Sequence, residues 1–185
     1  AELLTMMETI GIQIGQFIDR QHTEEALRLS EEVQRLALAA AQMGAWNWNV
    51  QTGEEYWSAE EERIFGLTPG SFTGGYEDFL NFVHPNDREK LILAQQRALT
   101  EGEDYAPEYR IVRANGNVRW VTSRGKVFRD AGGTPIRMTG VTMDITERKR
   151  SEIALAASER LLRQAEEKYR SIFENAVTGI FQTSI

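Results

Sequence analysis

The stretch EYRIVRANGNVRWVTSRGKVFRDAGGTPIRMTGVTMDITERKR, residues 108–150, decides the fold of this 185-residue chain. It predicts three strands, rich in β-branched and aromatic residues, joined by two tight turns. The turns lie at 114–116 and 130–133, where Asn and Gly readily adopt the positive φ that hairpins require. After Thr146 the composition changes to Glu, Arg, Lys, Ala and Leu, which favour a helix. A sheet that leads directly into a charged helix suits a protein that transmits conformational change.

The residues before this stretch predict the rest of the same sheet and the helices that cover it. Residues 45–50 alternate, with Trp46 and Trp48 on one face, which is typical of a half-buried strand. The other elements are a short strand at 54–58, short helices at 59–65 and 76–83, and a longer helix from His84 to about Thr100. The pattern favours an α+β fold: a five-stranded antiparallel sheet with short helices packed on one face.

Several motifs, taken in order, resemble those of a PAS domain with a C-terminal PAC motif, over residues 34–147. They are Trp-Asn-Trp-Asn at 46–49, Ile-Phe-Gly at 64–66, His-Pro-Asn-Asp-Arg at 84–88, and the run from Tyr-Arg-Ile to Asp-Ile-Thr-Glu-Arg-Lys at 109–149. The resemblance implies the PAS fold, with strands in the spatial order 2-1-5-4-3. We therefore assign residues 42–147 to the PAS domain.

The resemblance also implies a ligand site, because the concave face of a PAS sheet holds flavin, haem or a small acid. Alternation and the helical pattern place eleven side chains at this face: Trp46, Trp48, Phe79, Phe82, Leu91, Tyr109, Ile111, Val121, Ser123, Met138 and Thr142. Two readings remain open. These residues either surround a small-molecule ligand or simply fill the core, since each Trp buries about 200 Å².

The absence of cysteine bears on the cofactor. Without a thiol the chain lacks the residue that a cysteine-adduct flavin domain uses, and thiolate metal sites are excluded too. Haem needs an axial ligand, and the two histidines have other roles: His22 lies on a helical seam and His84 begins a helix. We expect no cofactor, neither a cysteine-adduct flavin nor haem, and no metal site. A small-molecule ligand stays open.

The tripeptide Asp144-Ile145-Thr146 marks the junction between the last strand and the C-terminal helix. Asp144 or Thr146 can accept hydrogen bonds from the free N–H groups at the helix start. Arg148 or Arg150 is placed to pair with Asp144. The junction is either a helix cap alone or a hinge that couples strand position to the helix, a signal joint made of residues 144–146 and Arg148.

Helical connectors precede and follow the domain, at residues 1–41 and 148–176. Residues 20–31 and 148–159 share six of twelve positions, which indicates a repeated linker. Residues 3–20 resemble the closing helix of a GAF domain, and 177–185 the first strand of a following PAS domain, so we expect a piece of a longer protein. Apolar residues at heptad-like spacings predict a dimer seam. Its members are Ile14, Ile18, His22, Ala26, Leu29, Val33, Leu36, Leu155, Leu162, Ala165, Tyr169 and Ile172.

Composition limits the partners. The net charge of −7 argues against nucleic acid, and no apolar run reaches the length of a membrane span. Val118, Trp120, Val141, Met143 and Ile145 are expected on the outer sheet face, where a second subunit or the N-terminal helix would cover them. We expect a homodimer, with adjacent GAF, PAS and output domains in the same chain and a cytoplasmic location.

We find no enzyme motif, and acidic runs such as residues 60–62 are interpreted as solvated helix faces. The sequence favours a sensor and signal-relay module of a multi-domain protein, a sensor histidine kinase or else a cyclic-dinucleotide enzyme, with the fragment itself not an enzyme. The alternative is a ligand-free module for dimerisation and spacing in a PAS/GAF array.

Overall fold

The computed structural model describes residues 2–182, with side chains described for residues 20–170 and Ile172. Two long helices flank a sheet covered by three shorter helices. The elements are α1 (Glu2–Ala40), β1 (Met43–Asn49), β2 (Glu55–Trp57), α2 (Ala59–Phe65), α3 (Tyr76–Phe82), α4 (Pro85–Glu101), β3 (Glu108–Val112), β4 (Val118–Arg129), β5 (Pro135–Asp144) and α5 (Thr146–Gln182). Among the described residues, no helix combines the length and apolar character that crossing a bilayer requires.

The five strands form one antiparallel sheet in the order β2-β1-β5-β4-β3. The predicted fold class and the strand order implied by the resemblance are confirmed. β5 lies at the centre, paired along its length with β1 on one side and β4 on the other. Any displacement of β5 therefore acts on both halves of the sheet.

Local sequence sets the ends of the helices that cover the sheet. The Ser58 hydroxyl accepts a hydrogen bond from the Glu61 backbone N–H, which caps α2, and Gly66 ends that helix in a left-handed conformation. At α4 the His84 ring nitrogen Nδ1 accepts from the Asn86 N–H, and Pro85 occupies the first helical position. The prediction that His84 begins a helix is confirmed.

The core lies between the inner sheet face and helices α2, α3 and α4. Strands β3, β4 and β5 contribute every second residue to it, as the alternation predicted. Trp57 contacts four phenylalanines at once, with ring centroids 3.7 to 6.3 Å apart. The buried apolar residues are Trp48, Trp57, Ile64, Phe65, Phe79, Val83, Leu91, Ala98, Tyr105, Tyr109, Ile111, Val121 and Met138.

The outer sheet face differs from the prediction at one residue. Trp120, Val141 and Met143 are half-buried and Val118 is exposed, but Ile145 is only 6% exposed. The alternation rule ends with β5 at Asp144, so Ile145 belongs to the turn into α5 rather than to the outer face. There its backbone N–H donates to the Trp120 carbonyl at 2.8 Å.

The C-terminal connector also differs from the prediction. Residues 177–182, predicted as the first strand of another domain, form the last turns of α5. A strand needs a neighbouring strand to satisfy its backbone groups, and the described residues offer none there, whereas the helix satisfies them within itself. The predicted linker and domain boundaries otherwise remain predictions.

Candidate functional site

The inner sheet face and its covering helices enclose a cavity. The centre of a water molecule can occupy a volume of about 20 Å³ inside this cavity. This is enough room for one water or a group of similar size. Most of the wall is aromatic, and two carboxyls and two neutral polar side chains complete it. The lining residues are Trp46, Trp48, Glu55, Trp57, Glu61, Phe79, Gln95, Tyr105, Tyr109 and Ser123.

Two glycines make room for Trp46 in the middle of the sheet. Trp46 of β1 is opposite Gly140 of β5, which is opposite Gly125 of β4. A Cβ at Gly125 would lie 2.7 Å from the Trp46 ring, and one at Gly140 would lie 2.8 Å from the Gly125 Cα. The indole therefore lies over both glycines and meets the edge of Tyr105, with ring centroids 5.8 Å apart.

Glu61 is the most deeply buried charged side chain of the cavity wall. It lies in the first turn of α2 and is 2% exposed. At this point α2 packs closely on β1, because a Cβ added to Gly44 would be 2.5 Å from the Glu61 Cα. Its Oε2 atom and the Trp48 Nε1 atom are buried without a hydrogen-bond partner among the described residues. Glu61 thus lines the cavity and carries one buried, unpaired carboxyl oxygen.

A line of buried polar side chains leads from Glu61 across the sheet. The Thr142 side chain on β5 lies beside the Glu61 carboxyl and lowers its pKa. The Thr142 hydroxyl is 3.0 Å from the Ser123 hydroxyl on β4, which is 3.0 Å from the Tyr109 hydroxyl on β3. The network is buried and crosses three strands, so a change at Glu61 reaches β5 directly.

Burial changes the acid–base behaviour of this cavity. The pKa of Glu61 is raised to about 8, mainly because burial desolvates the carboxyl. The Thr142 side chain lowers this pKa, and the nearby Glu55 carboxyl raises it. Desolvation also raises the pKa of Glu55 to about 7, opposed by a hydrogen bond that the Trp57 indole donates to its carboxyl at 2.9 Å. Both carboxyls therefore change charge near neutral pH.

Five of the eleven predicted pocket residues line this cavity. They are Trp46, Trp48, Phe79, Tyr109 and Ser123. Ile111, Val121, Met138 and Thr142 are buried beside it, Phe82 is half-buried in the core, and Leu91 lines a separate surface groove with Asp87 and Lys90. Alternation identified the correct sheet face, but it does not show which side chains on that face border the open space.

The sequence reasoning missed Glu55, Trp57, Glu61, Gln95 and Tyr105. The interpretation of residues 60–62 as a solvated helix face is wrong, because Glu61 and Glu62 are 2% and 3% exposed. Glu61 lies four residues before Phe65, and Ile64 and Phe65 are both buried. Helical spacing therefore placed Glu61 on the apolar side of α2, and that signal was in the sequence.

Glu62 fastens the loop between α2 and α3. Its two carboxylate oxygens accept hydrogen bonds from the backbone N–H groups of Gly70 and Phe72, at 2.6 and 2.7 Å. The Phe72 ring stacks on Trp57 with centroids 3.7 Å apart. Because Trp57 lines the cavity, this loop supports the cavity wall from outside.

The junction between β5 and α5 is held by hydrogen bonds to one residue of β4. The Thr146 hydroxyl accepts from the Trp120 N–H at 3.0 Å, and the Ile145 N–H donates to the Trp120 carbonyl. The Asp144 carboxylate accepts from the Thr146 N–H at 2.8 Å, which caps the helix start as predicted. Strand and helix are therefore joined without a flexible residue between them.

The predicted pairing of Asp144 with Arg148 or Arg150 is wrong. The Asp144 carboxylate lies 3.7 Å from Arg119 and 3.9 Å from Arg113. Arg148 pairs with Glu108 of β3 and with Glu152, and Arg150 pairs with Glu147. Arg148 reaches Glu108 on the sheet instead, whereas the β3–β4 hairpin brings Arg113 and Arg119 close to Asp144.

Trp120 is also the centre of a charged cluster. Its ring has the Arg110 guanidinium 5.5 Å and the Lys149 ammonium 5.4 Å from its centroid. Arg110 pairs with Asp87 at the start of α4, with a shortest distance of 2.6 Å, and holds the pKa of that carboxyl below its usual value. The neighbouring Arg88 does not pair with Asp87 and donates to the Val83 carbonyl.

Cavity, central strand and joint together define an α+β sensor domain, and comparison with known proteins agrees. The model of the PAS fold family matches residues 54–142. A crystal structure of a sensory box histidine kinase/response regulator from Burkholderia thailandensis is 35% identical, with a TM-score of 0.64, and the match covers 70% of this chain and 97% of that one. The chain belongs to the PAS fold family, as the resemblance implied.

A curated relative extends the comparison. A blue-light-activated histidine kinase of Brucella anthropi is 34% identical over 148 residues, which cover 77% of this chain and 29% of the relative. The chain therefore spans less than a third of the length of that kinase. The prediction of a PAS sensor module of the kind that histidine kinases contain is confirmed.

The expectation of no cofactor is wrong. The Brucella relative is a blue-light-activated kinase. A light-oxygen-voltage domain described with a flavin analogue has the same fold, at 19% identity and a TM-score of 0.50, over 67% of this chain and 93% of that one. The absence of cysteine therefore did not justify separating this chain from a blue-light-activated relative.

The cavity is much smaller than a flavin. A flavin has three fused rings, whereas the cavity has room for about one water. The group does not fit the side-chain arrangement of this structure, in which Trp46, Trp48 and Trp57 occupy the inner face.

Proposed function

We propose that this PAS domain detects a change in its inner cavity and passes it through β5 to α5, as part of a sensor histidine kinase. One observation carries the proposal: β5 contributes to both ends of the path. The Thr142 side chain lies beside the cavity carboxyl of Glu61 and lowers its pKa, and two residues later Asp144 caps α5. A change in the charge of Glu61 alters the force on Thr142 and so on the strand that positions the helix.

The joint converts a strand displacement into a helix displacement. Ile145 and Thr146 are bonded to Trp120 of β4, while Asp144 remains in the ladder opposite Val121. A shift of β5 against β4 must therefore change these bonds or turn the first residues of α5. Differences of a few kcal/mol between two such arrangements suffice to shift a population.

Dimerisation is a further part of the proposal. In the single chain, the described members of the predicted seam are exposed to solvent. The large apolar side chains, each more than half exposed, are Leu29, Val33 and Leu36 on α1 and Leu155, Leu162, Tyr169 and Ile172 on α5. The other exposed members are His22, Ala26 and Ala165. Ile14 and Ile18 lie outside the residues whose side chains are described. Covering these stripes in a parallel coiled coil would stabilise a homodimer and carry the motion of α5 onward.

The context of the module is proposed from its relatives. The kinase activity belongs to the longer Brucella protein, and we extend it to the parent of this chain because the match covers 77% of the present sequence. Neighbouring GAF or PAS domains and a cytoplasmic location, as the cysteine-free composition suggests, belong to the same proposal.

The alternative is a ligand-free module that spaces and dimerises its neighbours. The aromatic side chains that fill most of the inner face favour it. The two functions differ in the role of the joint, because a spacer needs stable helices but no coupling between Thr142 and α5.

Thr146→Val is expected to abolish signal-dependent regulation in the full-length kinase. The change removes the acceptor for the Trp120 N–H and costs about 1 kcal/mol of stability. Autophosphorylation with and without the signal is the measurement. Thr122→Val is the control, a half-buried threonine on β4 that is outside the joint. Unchanged regulation in folded Thr146→Val protein would favour the spacer.

A further inference from the structure

The cavity has an unusual balance of charge. Two carboxyls, Glu55 and Glu61, line it, and no Lys, Arg or His appears among the described residues of its wall. Glu55 on β2 and Tyr109 on β3 interact with Glu61, and Tyr76 and Tyr105 interact with Glu55. None of these groups carries positive charge. A buried carboxylate ordinarily has a cationic partner or gives up its charge.

The rest of the wall suits a cation as well. Six of the ten lining side chains are aromatic, and aromatic rings attract a cation placed over their faces. Glu61 Oε2 has no partner, although the residue is 2% exposed. Gln95 accepts a hydrogen bond from the Tyr76 hydroxyl through Oε1 and faces the cavity with neutral polarity. Negative charge, aromatic rings and a free acceptor thus meet in one enclosed space.

We propose that the cavity binds one small ammonium-type cation on Glu61, in competition with a proton. Its size limits the ligand to a group of one or two heavy atoms, such as a methylammonium ion. The cation hydrogen-bonds the Glu61 carboxylate and lies against the surrounding rings. The inference builds on the proposed function, since it names the class of ligand that acts on the Glu61–Thr142 end of the path.

Competition with the proton determines how the affinity for the cation depends on pH. The ligand binds the ionised carboxyl, and Glu61 is protonated in most molecules below its pKa of about 8. Binding therefore releases a proton and strengthens as pH rises. Because the ionised fraction falls tenfold for each pH unit below the pKa, affinity at about pH 9 should exceed that at about pH 6 by roughly 100-fold.

The test uses the present chain and methylammonium chloride, with sodium chloride at equal ionic strength as the reference. Binding is followed by tryptophan fluorescence, because three Trp side chains line the cavity, and by the thermal unfolding midpoint. Methylammonium should raise the midpoint at about pH 9 and much less at about pH 6. Tetramethylammonium, which exceeds the cavity, should have no effect.

Glu61→Gln should reduce methylammonium affinity at least about tenfold, since it removes the charge at constant shape. Glu60→Gln on the same helix, where half-buried Glu60 pairs with Arg63 outside the cavity wall, should leave binding unchanged. Equal effects of sodium and methylammonium, or unchanged binding by Glu61→Gln, would overturn the proposal. Thr146→Val should bind normally, so a failure here is distinguishable from a failure of coupling to α5.

Discussion

Glu61→Gln is expected to stabilise the domain above pH 7 and to flatten its pH dependence. In the native protein the Glu61 pKa is raised to about 8, whereas the unfolded chain has the ordinary value near 4.5. Between these values the native state binds one more proton than the unfolded state. Stability therefore falls as pH rises through this window, by on the order of 1 kcal/mol per pH unit. A glutamine does not titrate, so this loss disappears.

Urea unfolding of both proteins at several pH values from about 5 to about 9 is the measurement. The pKa of Glu55 is raised to about 7, so Glu55 also makes stability fall as pH rises. This contribution remains in Glu61→Gln, but it stops near pH 7, about one pH unit below the point where that of Glu61 stops. Glu60→Gln is the matched control and should keep the full slope. Identical slopes in the native protein and Glu61→Gln would show that Glu61 is not buried as an acid.

Gly44→Ala is expected to cost about 3 kcal/mol of stability, because no space exists for a methyl group between β1 and α2. Its Cβ would lie 2.5 Å from the Glu61 Cα and 2.8 Å from the Glu61 backbone nitrogen. These are backbone atoms, so a side-chain rotation cannot relieve the overlap. Helix α2 would have to move away from the sheet, and the cavity would change with it.

Gly132→Ala is the control, because at this turn the nearest atom to the new Cβ is an Asp130 carboxylate oxygen at 3.3 Å. Its free energy of unfolding should change by no more than about 0.5 kcal/mol. Urea unfolding compares the two variants. Equal stabilities would mean that α2 does not press on β1, and the described position of Glu61 would then be wrong.

Features set by neighbours in sequence were predictable here. The hairpin turns, the caps at Ser58 and Asp144 and the alternation of β3 to β5 each depend on a few adjacent residues. The strand order was available only through the family resemblance, since pairing between β1 and β5 joins residues nearly a hundred positions apart.

Features that depend on distant contacts were missed. The partners of Asp144 are on β3–β4 rather than on the adjacent helix. The burial of Glu61 depends on which side of α2 meets β1, and three consecutive glutamates hide that choice unless Ile64 and Phe65 are considered with them. The extent of α5 depends on which strands are available to pair with residues 177–182.

The loop between α2 and α3 affects how fast a molecule can enter or leave the cavity. To move Trp57 out of the cavity wall, the Phe72 stack must separate, and Phe72 is tied to Glu62 by one of two charge-assisted hydrogen bonds. Such a barrier slows both entry and escape of a guest. A molecule that enters should therefore have a long residence time, and the domain should respond to the recent average of its signal rather than to brief fluctuations.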